Sequence, residues 1–211
     1  MTDWALDEGR LADWLGGHLP GFAGPLRVEK FDNGQSNPTF LLEAASGKYV
    51  LRMKPPGVLL KSAHAIEREF RVMQALAGSA VPVPQALVLC EDAGVIGAAF
   101  YVMSHVTGRI FWDPALPGLS ASERGAVYDA MNAALASLHG LDPSAIGLGD
   151  FGRPGSYFAR QLARWADQYR ASETGAMPDM DRLMGWLTTH LPPDDGAGAI
   201  VHGDWRIDNM I

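Results

Sequence analysis

Cysteine is almost absent from this 211-residue sequence, in which Cys90 is the only one. A single cysteine excludes an internal disulfide and any metal site built from several thiolates. Cys90 lies in the apolar stretch ALVLCE, which favours a buried thiol in a protein core. Hydrophobic residues make up 47% of the chain, enough for one large domain or two smaller lobes, each with a core.

Positive charge is also scarce, because 17 lysines and arginines stand against 24 acidic residues and give a net charge of −7. Nucleic-acid binding requires clustered cations that neutralise phosphates, so this balance argues against a nucleic-acid partner. No apolar run reaches the roughly 20 residues of a membrane-spanning helix. The N-terminal stretch MTDWALDEGR is acidic where a signal peptide is basic, so we expect a cytoplasmic protein without a membrane partner.

The first hundred residues predict a sheet with helices beside it. An amphipathic pattern from Leu6 to Leu19 predicts a first helix that ends at Pro20-Gly21. From Ser62 a second helical pattern begins, for which Gly78 is the stop signal. Runs rich in β-forming residues predict five strands: RVEKF (27–31), TFLLEA (39–44), KYVLRMK (48–54), ALVLCE (86–91) and AAFYVMSHV (98–106).

The second half of the chain predicts helices. Ser120 and Glu123 have the spacing of a capping box, which marks a helix start. AIVH (199–202) is a short apolar run that we interpret as a strand. Three helical patterns lie between these features, and their apolar positions are Val127, Met131, Leu135 and Leu138, then Phe158, Leu162, Trp165 and Tyr169, then Leu183, Leu187 and Leu191.

A dense polar cluster follows in VHGDWRIDNMI (201–211). An aspartate five residues before an asparagine allows one tight loop to direct a carboxylate towards a substrate hydroxyl. The asparagine amide oxygen of the same loop is then placed to coordinate a Mg²⁺ ion held by nucleotide phosphates. This spacing therefore indicates phosphoryl transfer, although a loop in which Asp204 and Asn209 only cap the backbone has the same pattern.

The loop resembles HGDxxxxN, the catalytic loop of the aminoglycoside phosphotransferase and choline kinase group of small-molecule kinases. The resemblance implies an α+β, protein-kinase-like fold with two lobes. Residues 1–105 would form an N-terminal nucleotide-binding lobe with an antiparallel sheet and one helix. Residues 106–211 would form a mainly helical, incomplete C-terminal lobe that ends at the catalytic loop. The implied cofactors are ATP and Mg²⁺, and the implied partner is a small molecule with a hydroxyl group.

The resemblance also assigns residues to the nucleotide phosphates. The stretch DNGQSNPTF (32–40) occupies the place of the phosphate-covering loop, and the residues that fit the group's Gly-x-Ser-Asn form are Gly34, Ser36 and Asn37. In YVLR (49–52), Arg52 stands where protein kinases place the lysine of the third strand, and Lys54 competes with it on the same strand face. We expect Glu69 of the following helix as the partner of Arg52, in preference to Glu67.

Further roles follow for the end of the fifth strand and for the catalytic loop. Met103 is interpreted as the gatekeeper beside the adenine, and the Ser104 carbonyl and the Val106 N–H as its backbone partners. In the loop, three residues are assigned to catalysis and one to the metal. Asp204 accepts the proton of the substrate hydroxyl, His202 braces the loop, Arg206 is either a cation near the γ-phosphate or a plain surface arginine, and Asn209 binds Mg²⁺.

Longer motifs narrow the resemblance to one branch of the group. LRMKPPGVLLKSAHAIEREFRVMQAL, GRIFWDPALPG and DFGRPGSYFARQLARWADQY look like the phosphotransferase domain that precedes acyl-CoA dehydrogenase domains in larger proteins. For that branch the implied acceptor is a hydroxyl of a 4-hydroxyacyl-CoA or a related hydroxy acid. The alternatives are an aminoglycoside-type kinase and a catalytically inactive nucleotide-binding or scaffold domain. Because the group's second magnesium-binding aspartate lies beyond its catalytic loop, we expect this chain to be part of a longer kinase.

Overall fold

The computed structural model describes residues 6–31, 37–55, 65–153, 155–194, 196 and 198–211. The chain forms two compact units. One comprises Met1–Ser137 together with His202–Ile211, and the other comprises Leu138–Val201. The expected lobe boundary between residues 105 and 106 stays a prediction.

The first unit contains an antiparallel sheet of five strands in the order β1-β2-β3-β5-β4. Each predicted strand of the first hundred residues is confirmed, with bounds that move by a few residues at most. The strands are β1 (Leu26–Lys30), β2 (Thr39–Ala44), β3 (Gly47–Met53), β4 (Ala86–Cys90) and β5 (Phe100–Ser104). The third strand is central, and Arg52 on it pairs with Tyr101 on β5.

Alternation along the strands gives the sheet two different faces, each covered by one helix. On one face, helix α1 (Glu8–His18) buries Leu11 and Leu15 completely against a core that includes Phe100 and Val102. On the other face, helix α2 (Ile66–Leu76) buries Ile66 and Phe70 against a cluster that contains Tyr101. Arg52 and Tyr101 belong to the α2 face of the sheet, because they alternate along their strands with core residues of the α1 face.

After β5, the described part of the chain contains three α-helices: α3 (Ala121–His139), α4 (Tyr157–Ser172) and α5 (Pro178–Thr189). The predicted capping box is present, since the Glu123 N–H donates to Ser120 Oγ at 3.3 Å and the Ser120 N–H donates to Glu123 Oε2 at 2.8 Å. The helices form where the periodicity places them, but their apolar positions are less buried than expected. Leu138 is buried on α3, whereas Phe158 and Trp165 on α4 are 53% and 61% exposed.

The interpretation of AIVH (199–202) as a strand is wrong. Residues 198–202 have no regular secondary structure, and Val201 is 66% exposed. A short apolar run becomes a strand only when a neighbouring strand satisfies its backbone, and β propensity alone does not supply that neighbour. Within the described ranges, no helix is long and apolar enough to cross a membrane.

The packing of α1 on the sheet can be tested with two leucine substitutions. Leu15 is fully buried and Leu183 on α5 is 47% exposed. We expect Leu15→Ala to lower the free energy of unfolding by about 2–5 kcal/mol, because it leaves a cavity, and Leu183→Ala to lower it by less than about 1 kcal/mol. Urea unfolding followed by circular dichroism measures both, and equal losses would contradict the packing of α1 described here.

Candidate active site

Arg52 on β3 forms the expected ion pair with Glu69 on α2. Arg52 Nε lies 2.9 Å from Glu69 Oε2, and the two side chains are 32% and 37% exposed. The contact is close but not aligned as a hydrogen bond, since Arg52 Nε is buried without a hydrogen-bond acceptor in the described part of the chain. Coulomb attraction, rather than a directional bond, therefore joins the guanidinium to this carboxylate.

Glu69 also accepts hydrogen bonds from two buried neutral side chains. Asn37 Nδ2 donates to Glu69 Oε1 at 3.0 Å, and the Tyr101 hydroxyl donates to Glu69 Oε2 at 3.1 Å. Asn37 and Tyr101 are each only 3% exposed. We call Asn37, Arg52, Glu69 and Tyr101 the Glu69 cluster. It joins the segment before β2 to β3, α2 and β5.

Burial raises the pKa of Tyr101 far above its usual value, and the negative charge of Glu69 raises it further, although Arg52 opposes this. The phenol is therefore a permanent donor at neutral pH. The sequence patterns gave no role to Tyr101, because its proximity to Glu69 depends on the register between β3 and β5.

Lys54, the residue after β3, forms a second, separate ion pair with α2. Its ammonium group contacts Glu67 Oε1, and the two side chains are 28% and 33% exposed. Burial is the largest single influence on the pKa of Glu67 and raises it, but the hydrogen bond from Lys54, a backbone hydrogen bond and the positive charge of Lys54 together lower the pKa by more. The structure thus assigns a different carboxylate to each of the two candidate cations, and Arg52 is the one that shares a partner with Asn37.

The phosphate-loop candidates divide into two groups. Gly34 and Ser36 lie outside the described residues. Asn37 is described, and its side chain is buried against Glu69 rather than exposed. Direct contact of Asn37 with a nucleotide stays a prediction. In the structure, the amide nitrogen of Asn37 donates to the carboxylate of Glu69.

The adenine candidates lie at the end of β5 and just after it. Met103 is half-buried and packs against the α2 face of the sheet. Ser104 exchanges two hydrogen bonds with Gln85, because its N–H donates to the Gln85 carbonyl at 2.9 Å and its Oγ accepts from the Gln85 N–H at 2.9 Å. Val106 lies beyond the strand and is 40% exposed. Contact of these groups with a nucleotide stays a prediction.

The catalytic-loop candidates are held together by local hydrogen bonds. Gly203 adopts a φ of 84°, a left-handed conformation that glycine takes without strain. The turn lets the Asp204 N–H donate to His202 Nδ1 at 3.2 Å. The His202 ring also packs edge-to-face on Trp205, with ring centroids 5.2 Å apart. The role of His202 in bracing the loop stays a prediction.

Asn209 meets Asp204 across the loop. Asn209 Nδ2 donates to the Asp204 backbone carbonyl at 3.0 Å and to Asp204 Oδ2 at 2.9 Å. A short 3₁₀ turn, Ile207–Asn209, brings the amide back to the aspartate, and Ile207 is buried beneath it at 6% exposure. Because the nitrogen is committed to Asp204, the amide oxygen of Asn209 is directed away from these contacts.

Arg206 is paired with Asp208, a residue to which the sequence patterns gave no role. Arg206 Nε donates to Asp208 Oδ1 at 3.1 Å, and Nη2 contacts Oδ2. The hydrogen bond from Arg206 lowers the pKa of Asp208, and Asp208 raises that of Arg206. Arg206 Nε also lies 3.7 Å from Asp204 Oδ1. A positive charge is therefore held beside the candidate base, on a side chain that is 60% exposed.

The residues that follow the candidate catalytic loop touch the segment that follows the adenine candidates. A β-carbon on Gly108 would collide with the Ile211 side chain. The chain just after Val106 and the residues just after Asn209 are thus packed together within one compact unit.

The oxygen donors of the loop fit a magnesium ion that is shared with a nucleotide. In the part of the chain that the structure describes, no group of three or more His, Cys, Asp or Glu side chains could hold a metal. Mg²⁺ does not require such a group, because it commonly binds through one or two carboxylates together with substrate phosphates and water. The Asn209 amide oxygen is an oxygen donor of the type that suits this ion.

A family model described as APH, phosphotransferase enzyme family, matches residues 27–211. The chain belongs to the APH phosphotransferase family. This result confirms the resemblance that the catalytic loop indicates. The matched range includes both the Glu69 cluster and the loop from His202 to Asn209.

Curated relatives of this APH-family chain are much longer proteins. Acyl-CoA dehydrogenase family member 10 of Mus musculus is 49% identical over 208 residues, which are 98% of this chain and 19% of that protein. Acyl-CoA dehydrogenase family member 11 of Rattus norvegicus is 46% identical over 205 residues, 95% of this chain and 26% of that protein. The APH-family chain thus spans between a fifth and about a quarter of the length of these relatives.

Solved structures confirm the kinase-like fold. A protein of Ralstonia eutropha, described as a candidate aminoglycoside phosphotransferase, is 52% identical with a TM-score of 0.86 and covers 98% of this chain and 60% of that one. A macrolide 2′-phosphotransferase of Brachybacterium faecium has a TM-score of 0.57 at 20% identity and covers 92% and 64% of the two chains. At that identity the second structure shows the fold alone.

The buried phenol of Tyr101 predicts an unusual alkaline titration. Because the folded pKa is raised, Tyr101 stays neutral while the protein is folded, and its contribution to stability is lost as the pH rises above the unfolded value of about 10. We expect the folded wild-type protein and Tyr101→Phe to release the same number of phenolic protons up to pH 11. Absorbance at 295 nm measures this number. A deficit in Tyr101→Phe would contradict the burial of the phenol.

The packing of Gly108 on Ile211 predicts that Gly108 and Gly118 differ in their tolerance of alanine. We expect Gly108→Ala to destabilise the protein by about 1–3 kcal/mol, because the new methyl group collides with Ile211. Gly118→Ala is the matched control, since a β-carbon there meets no atom within 4 Å. Thermal unfolding compares the two variants, and an unchanged melting temperature for Gly108→Ala would refute the contact.

Proposed function

We propose that the protein transfers the γ-phosphate of ATP to a hydroxyl group of a small molecule, with Mg²⁺ bound to the nucleotide phosphates. The contact of Asn209 with Asp204 carries this proposal. It holds a carboxylate and an amide oxygen side by side on one exposed loop, as a proton acceptor and a metal ligand need to be in phosphoryl transfer.

Asp204 orients the substrate hydroxyl and accepts its proton. The hydroxyl oxygen then bonds to the γ-phosphorus while the bond from that phosphorus to the bridging oxygen breaks, and ADP leaves with the electron pair. His202 keeps the Asp204 backbone in place through its hydrogen bond. Arg206 places a positive charge beside Asp204 and the transferred group. Mg²⁺, when bound at Asn209, neutralises negative charge on the phosphates.

Arg52 is the cation that we propose for the α- and β-phosphates. Lys54, just after the same strand, is proposed as a second positive charge near them. What supports this choice is the Glu69 cluster, because Asn37 in that cluster directly follows the Gly34 and Ser36 segment. Adenine is proposed to bind beside Met103, with the Ser104 carbonyl and the Val106 N–H as its backbone partners. The GDP complex of an aminoglycoside 2′-phosphotransferase of this fold supports nucleotide binding in general.

The acceptor that we propose is a hydroxyacyl-CoA or a related hydroxy acid. The similarity to the acyl-CoA dehydrogenase family members supports this chemistry. An aminoglycoside acceptor is the second candidate, which the description of the similar Ralstonia protein favours. We also propose that the protein works in the cytoplasm, with neither nucleic acid nor membrane as a partner.

The test is ADP release from ATP with panels of 4-hydroxyacyl-CoA esters and of aminoglycosides. The assay should use the 211 residues together with any residues that the reading frame encodes after Ile211. We expect turnover with a hydroxyacyl-CoA, loss of turnover with EDTA, and its return with Mg²⁺. Asp204→Asn should reduce kcat by about 10²–10⁴-fold, because it removes the proton acceptor and keeps the shape of the side chain.

Asp129→Asn is the matched control, because Asp129 lies on the exposed surface of α3. It should leave kcat unchanged. Turnover with aminoglycosides alone would favour the second candidate acceptor. Nucleotide binding without turnover on either panel would overturn the kinase proposal in favour of an inactive nucleotide-binding or scaffold domain.

A further inference from the structure

Both oxygens of the Glu69 carboxylate are held by neutral donors from different parts of the chain. Oε1 accepts from Asn37, which precedes β2, and Oε2 accepts from Tyr101 on β5. A glutamate side chain that is 37% exposed would otherwise exchange between rotamers, each with the carboxylate in a different place. Two donors on rigid elements fix a single position for it.

The position of this carboxylate controls the position of the Arg52 guanidinium. Arg52 Nε lies 2.9 Å from Glu69 Oε2 but has no aligned hydrogen bond in the described part of the chain. Coulomb attraction has little directional preference, so the guanidinium follows the carboxylate wherever the carboxylate is held. Arginine carries five N–H donors in a fixed plane, and their direction therefore depends on Glu69.

We propose that Asn37 and Tyr101 are positioning residues that aim Arg52 at the nucleotide phosphates by holding Glu69. The inference rests on the proposed function, because it assigns Arg52 to those phosphates. Neither residue needs to touch the nucleotide for this role. Asn37 directly follows the segment that contains Gly34 and Ser36. Its contact with Glu69 therefore also couples the position of the chain at Asn37 to the position of Arg52.

The burial of the two donors distinguishes this arrangement from a surface ion pair. Asn37 and Tyr101 are each 3% exposed, so each needs an acceptor within the protein, and Glu69 is one. A hydrogen bond to a charged acceptor is also stronger than one between neutral groups. Loss of either donor should therefore remove one of the restraints on Glu69 and give its carboxylate a wider range of positions.

The first experiment detects the Arg52 side chain in the nucleotide-free protein. The ¹H–¹⁵N NMR signal of Arg52 Nε is assigned with Arg52→Met and then compared among the variants Asn37→Leu, Tyr101→Phe and Tyr49→Phe. We expect the signal to shift or broaden in the first two variants. Tyr49→Phe is the matched control, because the Tyr49 hydroxyl donates to Ser46 Oγ in an exposed hairpin on the same sheet. An Arg52 signal that is identical in all of these proteins overturns the inference.

The second experiment measures the affinity for MgADP by isothermal titration calorimetry. The Kd should rise about threefold to tenfold in Asn37→Leu and Tyr101→Phe, the range of a coupling energy between neighbouring residues. In an Arg52→Met background the same two substitutions should change Kd by less than twofold. A purely structural role would instead give equal effects in both backgrounds, and that result overturns the inference.

Two further results have clear meanings. Should Asn37→Leu fail to fold, Tyr101→Phe, which keeps the ring and removes only the hydroxyl, decides the outcome by the same criteria. Should the wild-type protein bind no MgADP while the Arg52 signal still moves in the variants, the proposed nucleotide function is overturned. In that case the conclusion that Asn37 and Tyr101 fix the position of Glu69 is still supported.

Discussion

The nucleotide-binding half of the proposed site depends on a single carboxylate, that of Glu69. It attracts the guanidinium of Arg52 and accepts hydrogen bonds from Asn37 and Tyr101. These contacts bring helix α2, two strands and the segment before β2 to one point. A buried polar group is costly to separate from a hydrogen-bond partner, so any change that displaces Glu69 also weakens the hydrogen bonding of Asn37 and Tyr101. The cluster therefore acts as a unit rather than as three separate contacts.

The resemblance to the kinase group predicted that Arg52 pairs with a glutamate of α2, and local periodicity then selected Glu69. Glu69 flanks the buried face of α2 and Glu67 points further round the helix, and the structure pairs Glu69 with Arg52 and Glu67 with Lys54. Periodicity could not predict Tyr101, because its place opposite Arg52 depends on the register of two strands that are about fifty residues apart in the chain. The burial of Asn37 is equally non-local, since turn chemistry describes the local backbone and not its distant partners.

The same distinction explains the error at AIVH (199–202). The strand prediction used only apolar composition, and a strand also needs a neighbour for its backbone groups. The capping box of Ser120 and Glu123 succeeded because all of its partners lie within four residues. The apolar positions of α4 show a third case, in which the helix forms from local propensity while Phe158 and Trp165 remain exposed.

An asparagine amide holds a carboxylate at both ends of the proposed site, but the two contacts differ in burial. Asn37 donates to Glu69 at 3.0 Å from a buried position, whereas Asn209 donates to Asp204 at 2.9 Å on an exposed loop. Breaking the first contact removes a hydrogen bond from a buried amide, so this contact suits a permanent framework. Breaking the second costs little because water replaces either partner. An exposed contact of that kind allows Asp204 to turn towards a hydroxyl, and allows Asn209 to give its oxygen to a metal, without disturbing the fold.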